Sequence, residues 1–147
     1  MIYQCQHFKI QELVPKEMFE AYNHEQHKLW LVFDQRVLIT LDRLRTRYGK
    51  LVANDWLWGG RNQYRGWRPW ALSTGAPFSQ HKFGRAADVK PVEVTAEEIR
   101  QDLRSMDKAG LPPYGTVLEF IKCIEADVPW LHFDTRNWYG SLLEVRP

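Results

Sequence analysis

Cysteine is scarce in this sequence of 147 residues, which contains only Cys5 and Cys123. These two thiols lie far apart along the chain, so they do not form the closely spaced pairs of a cysteine zinc site. They are also too few for a disulfide framework. We expect both thiols to be reduced and partly buried. A metal site made of cysteines is therefore excluded.

A strong charge excess and a long apolar run are also missing. The 20 basic and 18 acidic side chains give a net charge of +2, so the composition does not favour nucleic acid as a partner. No apolar run approaches the roughly 18 residues of a membrane-spanning helix. The largely polar residues 1–12 lack the apolar segment of a signal peptide. We expect a protein that is made in the cytoplasm and enters no membrane.

The composition that is present fits one folded domain. The sequence is 44% hydrophobic and 26% charged, as in ordinary globular proteins. A chain of this length can bury about two-thirds of its unfolded surface. The sequence shows no internal repeat, low-complexity segment or linker. We predict a single domain over residues 1–147, and we expect a monomer.

Apolar residues at helical spacing predict three helices. They are expected at residues 15–22, 24–48 and 95–110. Gly49 ends the second helix in the manner of a C-cap. Thr95 and Glu98 fit a capping box at the start of the third, and Gly110 stops it.

Four strands are predicted among the remaining segments. They are expected at residues 51–58, 85–89, 117–125 and 130–135, and a turn over 126–129 joins the last two. Helices come first, and one helix lies between the later strands. This order predicts an α+β fold with a small, mainly antiparallel sheet flanked by helices.

Two stretches contain the residue types of a zinc site. His81 and Asp88 lie in SQHKFGRAAD, and His132 lies in EADVPWLHFD. Catalytic zinc is typically bound by three protein side chains, and its fourth position stays open for water or substrate. In a helix His81 and Asp88 would lie two turns apart, so a loop that leads into a strand suits them better. Each histidine taken alone is more often a hydrogen-bonded core or surface residue.

The two stretches resemble the zinc motifs of the D-alanyl-D-alanine carboxypeptidase and Hedgehog-type metallopeptidase superfamily. The matching residues are Ser79-x-His81-x-x-Gly84-x-Ala86-x-Asp88 and Trp130-x-His132-x-Asp134-Thr-Arg. The resemblance covers roughly residues 54–138 and implies a Hedgehog/DD-peptidase-like fold with zinc on His81, Asp88 and His132.

This resemblance also implies a function. The expected activity is hydrolysis of a peptide bond next to a D-amino acid in peptidoglycan stem peptides. The enzyme would be of the D-Ala-D-Ala carboxypeptidase or the L-alanyl-D-glutamate endopeptidase type. Phage endolysins and bacterial wall-remodelling enzymes both belong to the superfamily. Without a signal peptide, the protein is expected to act on the cell wall after release, in a phage or prophage context.

This chain has no candidate general base at the two positions where family members have one. Some members have a histidine two residues before the last ligand, where this chain has Trp130. Others have a glutamate three residues before it, where this chain has Pro129. The base is then Glu125, which a hairpin would bring beside His132, or Asp127 in the turn, and we favour Glu125. The missing base also leaves a second function open, a non-catalytic module that keeps the fold and metal and binds cell wall or a protein.

Residues near the motifs predict the substrate contacts. Stem peptides carry carboxylates, which arginine can bind through two parallel hydrogen bonds. The loop over residues 58–68 contains three arginines, and among these we favour Arg61 and Arg65. Ser79 and Gln80 adjoin His81 and are candidates to orient it or to touch substrate. The alternatives are a solvated basic loop for the arginines and loop capping for Ser79 and Gln80.

The other histidines do not predict a metal site. His24 and His27 lie three residues apart, whereas a helix-borne zinc pair is four apart. His7 lies in a polar segment without a partner motif, and we expect it to be exposed.

Overall fold

A five-stranded open sheet carries both motifs in the computed structural model, which describes all 147 residues. The strands are β1 (Leu51–Val52), β2 (Ala86–Pro91), β3 (Cys123–Glu125), β4 (Leu131–Asp134) and β5 (Leu143–Val145). Their spatial order is β1-β2-β4-β3-β5. All neighbours are antiparallel except β3 and β5, which are parallel. The predicted α+β class with a mainly antiparallel sheet is confirmed.

Four helices accompany the sheet. They are α1 (Lys16–Ala21), α2 (Gln26–Leu29), α3 (Gln35–Tyr48) and α4 (Ala96–Ala109). The Thr95 hydroxyl accepts a hydrogen bond from the Glu98 amide, and the Glu98 carboxylate accepts one from the Thr95 amide. This capping box fixes the start of α4, so the helix predicted there is confirmed, as is the one predicted at residues 15–22. No helix combines the length and the apolar character needed to cross a membrane.

One hydrophobic core joins the helices to the sheet, and 24 buried apolar residues form it. Leu131 and Phe133 of β4 are fully buried members of this core. Because side chains alternate along a strand, His132 and Asp134 point to the opposite face. The core therefore fixes the strand that carries the last predicted ligand.

The helix predicted over residues 24–48 is wrong in its first half. After α2 a 3-10 turn at Trp30–Val32 ends at Phe33, whose backbone is extended. Asp34 then caps α3, because its carboxylate accepts a hydrogen bond from the Arg36 amide. The backbone amide of Asp34 donates to the Gly84 carbonyl at 2.9 Å. The helix is interrupted here because this segment packs against the turn that contains His81.

Two predicted strands are much shorter in the structure. The first, over residues 51–58, is reduced to β1 because Asn54 is buried against the N-terminal segment. Its amide donates to Glu12 O at 2.9 Å, and its Nδ2 donates to Val14 O at 3.0 Å. The strand over residues 117–125 is reduced to β3, since tight turns occupy the part before it. The strand β5 has no counterpart among the four predicted strands. Cys5 and Cys123 are free thiols.

Gly84 holds the turn between the first two predicted ligands in a conformation that other residues rarely adopt. Its φ is +68°, and a Cβ built on it would lie 1.8 Å from Val32 O. We expect Gly84→Ala to lower the free energy of unfolding by about 2–5 kcal/mol, from left-handed strain and the forced backbone shift. Gly110→Ala is the matched control, because Gly110 has a φ of +64° with no atom within 4 Å. Urea unfolding should place Gly84→Ala well below Gly110→Ala, and equal losses would contradict the close packing.

Candidate metal centre

His81 lies in a 3-10 turn at Gln80–Phe83 and is buried. Its Nδ1 lies 2.7 Å from the Gly66 carbonyl oxygen. A carbonyl oxygen only accepts hydrogen bonds, so Nδ1 of His81 is the donor in this contact, and Nε2 is the ring nitrogen that remains to face Asp88. Nε2 lies 3.3 Å from Oδ2 of Asp88. The backbone of residue 66 therefore orients the His81 ring with Nε2, its candidate ligand atom, toward Asp88.

Asp88 lies on β2, opposite His132 of β4 in the strand register. Its Oδ1 lies 2.7 Å from His132 Nδ1, and its Oδ2 lies 3.3 Å from Arg68 Nη2. Burial alone would raise the pKa of Asp88. The neighbouring charges of His81 and His132 and their hydrogen bonds outweigh burial, so the pKa lies well below its ordinary value. Asp88 is thus a buried, ionised carboxylate.

His132 lies between two carboxylates. Its Nδ1 faces Asp88, and its Nε2 lies 3.0 Å from Oδ2 of Asp134. Burial disfavours the imidazolium, but the hydrogen bonds to Asp134 and Asp88 outweigh it and raise the pKa of His132 to about 9. In the absence of a metal, this side chain is therefore protonated at neutral pH.

Asp134 and Arg136 form a hydrogen-bonded support for the His132 ring. Asp134 is fully buried, and Arg136 donates to both of its oxygens, at 2.8 Å from Nε and 2.7 Å from Nη2. Burial would raise the pKa of Asp134, but the bonds from Arg136 and His132 hold it below the ordinary value. This carboxylate–histidine arrangement is the usual support of a metal-binding histidine. The period of two along β4 places Asp134 on the same strand face as His132. Arg136 is the last residue of the second motif, but the sequence assigned it no role.

These residues form a group that can hold a metal ion. One ligand atom from each of His81, Asp88 and His132 lies within 4.8 Å of the others, and all three side chains are buried. Two nitrogens and one carboxylate oxygen are a common donor set for zinc. Each histidine also has an acceptor for its second nitrogen, so both rings are held in place.

We expect Asp134→Asn to weaken zinc binding about 10- to 100-fold, because the amide holds the His132 ring less firmly than a carboxylate does. The dissociation constant can be measured by competition with a chromophoric chelator, and circular dichroism checks the fold. Asp102→Asn on α4 is the control and should bind zinc like the wild type. An unchanged affinity in folded Asp134→Asn would contradict this role of Asp134.

The cluster opens into a pocket of about 590 Å³, which we call the main pocket. Its lining includes His81, Asp88 and His132 with Glu125, and it also includes Ser79 and Gln80. Oε1 of Glu125 lies 3.9 Å from Nδ1 of His132, since β3 and β4 form an antiparallel pair. The candidate base and two candidate substrate residues therefore share one pocket with the three candidate ligands.

Asp127, the alternative base, lies elsewhere. It is exposed in the turn after β3, with a φ of +61°, and its Oδ2 lies 3.0 Å from Nε of Arg146. It does not line the main pocket. Of the two candidate bases, Glu125 is the one beside the cluster.

The three arginines of the loop over residues 58–68 have different positions. Arg68 contacts Asp88 and donates from Nε to the Tyr64 carbonyl at 2.7 Å. Arg61 and Arg65 line a neighbouring pocket of about 310 Å³, which we call the loop pocket. Arg61 and Arg65 are the two predicted substrate residues, yet Arg68 is the arginine that contacts the cluster.

The remaining histidines lie outside this group. His24 and His27 are exposed, and so is His7, whose Nε2 lies 3.3 Å from the hydroxyl of Thr46. His81, Asp88 and His132 form the single group of the structure with metal-ligating geometry. Comparison with known proteins adds no assignment, because no family model, curated protein or solved structure matches this chain.

Proposed function

We propose that this protein is a zinc-dependent peptidase that hydrolyses a peptide bond next to a D-amino acid in peptidoglycan stem peptides. The observation that carries this proposal is the buried group His81–Asp88–His132, which faces an open pocket shared with Glu125. A three-ligand site with free space beside it is typical of catalytic zinc, whereas structural zinc is typically closed by four protein ligands. When bound, zinc supplies a Lewis acid that polarises the scissile carbonyl and acidifies water.

The carboxylate of Glu125 is the proposed general base and acid. It lies at the end of β3 and lines the main pocket, with a side chain that is 22% exposed. From this position it can take a proton from the attacking water and deliver it to the departing nitrogen. The hydroxyl joins the acyl carbon as the C–N bond breaks, so water is the only co-reactant.

Arg68 is the proposed residue that orients the substrate at the cluster. Its side chain is 15% exposed, and its guanidinium is held between the Tyr64 carbonyl and Asp88. A fixed cation at this place attracts the oxygens of a peptide carbonyl or carboxylate, and it does so without losing much rotamer freedom. Arg136 lines the same pocket but pairs with Asp134, so its first role is to support His132.

Peptidoglycan is the proposed substrate because of two observations. The stretches SQHKFGRAAD and EADVPWLHFD resemble the zinc motifs of a superfamily that cleaves cell-wall peptides. The main pocket is lined by three arginines, Arg68, Arg136 and Arg146, which suits a peptide that carries carboxylates. The same reasoning supports a fold of the Hedgehog/DD-peptidase type.

A second candidate function is a non-catalytic module that binds cell wall or a protein. It is favoured by the position of Glu125, which lies seven residues before His132 rather than at a usual family spacing. Purified peptidoglycan separates the two functions. The peptidase should release new free amino groups with zinc, stop with a chelator and resume when zinc is restored. Protein that binds zinc and peptidoglycan without releasing amino groups would be a binding module.

A further inference from the structure

A second pocket lies beside the candidate metal cluster. This loop pocket adjoins the main pocket, and both pockets are lined by Arg68, Asp88 and Trp130. The main pocket extends from these three residues toward residues 74–80, and the loop pocket extends toward residues 61–65. A substrate bound at the cluster would therefore lie between the main pocket and the loop pocket.

We propose that a bound peptide crosses the cluster and occupies both pockets, so that the enzyme cuts internal peptide bonds instead of removing a C-terminal residue. This inference rests on the proposed peptidase function. An enzyme that removes C-terminal residues needs a pocket that is closed just beyond the scissile bond. It also needs a cation that binds the terminal carboxylate. Here Asp88 lines both pockets, so a second pocket and not a closed wall lies beside the cluster.

Arg68 is the cation nearest to the cluster, and it is already engaged. Its Nε donates to the Tyr64 carbonyl, and its Nη2 lies 3.3 Å from Asp88 Oδ2. The Nε–Nη2 edge, one of the edges through which a guanidinium binds a carboxylate with two parallel hydrogen bonds, is thus divided between two protein acceptors. A terminal carboxylate cannot use this edge, which favours a continuous chain at this place.

The charged side chains that line the loop pocket are mainly basic. Three arginines line it, Arg61, Arg65 and Arg68, and Asp88 is its only carboxylate. Arg61 is exposed, while Arg65 donates from Nη1 to the Ala53 carbonyl at 3.3 Å. This pocket suits a substrate residue with a carboxylate side chain near the cleaved bond, and Arg61 is the guanidinium best placed to meet it. Cleavage still consumes one water, whose hydroxyl joins the acyl carbon and whose proton joins the leaving nitrogen.

Two synthetic stem peptides of the same sequence test the cutting position. One is acetylated at its N-terminus and amidated at its C-terminus, and the other has free ends. Zinc-loaded protein should cut both at the same internal bond with similar kcat/KM. Release of only the last residue, and only from the free peptide, would overturn this inference while leaving the peptidase function intact. Cleavage of neither these peptides nor peptidoglycan would overturn both.

Binding gives a second readout that does not depend on turnover. With Glu125→Gln as the background, the blocked peptide with its acidic residue is titrated calorimetrically, beside a peptide that has the matching amide. Arg61→Ala should weaken binding of the acidic peptide about tenfold or more and leave the amide peptide unchanged. Lys108→Ala, which removes an exposed charge on α4, should change neither affinity. Equal affinities of Arg61→Ala and its background for the acidic peptide would overturn the assignment of the loop pocket.

Discussion

The Glu125→Gln variant is expected to bind one equivalent of zinc with wild-type affinity and to lose about 10²- to 10⁴-fold in kcat. Its amide is nearly isosteric with the carboxylate and cannot take a proton from water. Glu125 is not one of the three candidate ligands, and its Oε1 lies 3.9 Å from Nδ1 of His132. Metal binding and folding should therefore survive while turnover is lost. Zinc content, the unfolding temperature and the rate of peptide cleavage measure the three effects separately.

Asp127→Asn is the matched control for this variant. Asp127 lies two residues further along the same hairpin, but it is exposed and paired with Arg146. The control should retain kcat within a few-fold, because its carboxylate lies outside the main pocket. The opposite pattern, with Asp127→Asn inactive and Glu125→Gln active, would move the base to Asp127. If both variants kept full turnover, neither carboxylate would be the base.

Zinc binding should release about one proton at neutral pH. The pKa of His132 is about 9 without metal, because the hydrogen bonds to Asp134 and Asp88 outweigh the effect of burial. A metal must replace the proton on Nδ1, so apparent affinity should rise about tenfold per pH unit between pH 6.5 and 8.5. Calorimetry in two buffers of different ionisation enthalpy counts the released protons. His24→Gln, which changes an exposed histidine, should release as many as the wild type.

Folding stability should depend on pH in the metal-free protein and not in the zinc-loaded protein between pH 6.5 and 9. The pKa of His132 is raised on folding, so its contribution to metal-free stability is full below pH 6.5. It is lost as the pH rises through about 9. The zinc-loaded protein has no such proton to lose, so stabilisation by zinc should grow over this range. Thermal unfolding at several pH values measures both curves. A zinc effect that does not change with pH would contradict the protonated state of His132.

Much of the candidate site could be predicted from the sequence because local patterns determine where its residues lie. Gly84 fixes the turn after His81, and the period of two along β4 sets the direction of His132 and Asp134. The hairpin between β3 and β4 is also a local feature, and it delivers Glu125 to the cluster. Local patterns, together with the motif resemblance, therefore led to the three candidate ligands and the candidate base that the structure brings into one pocket.

The features that were missed depend on contacts between distant parts of the chain. The helix predicted over residues 24–48 breaks because Asp34 bonds to Gly84, which lies 50 residues later in the sequence. The short strand β5 exists only because it can pair with β3. Arg68 shares one loop of the sequence with two other arginines, and only the tertiary fold brings it to Asp88. Periodicity and motif spacing contain no information on such contacts.

The most direct test of zinc-dependent peptide hydrolysis is mass spectrometry of peptidoglycan digested in water enriched in heavy oxygen. The zinc-loaded protein should yield new stem-peptide fragments in which the newly formed carboxyl group carries one heavy oxygen atom. The fragment masses would also name the cleaved bond. These fragments should vanish with a chelator and with Glu125→Gln. A zinc-loaded, folded protein that yields no labelled fragments, or yields them equally with the chelator, would contradict the account.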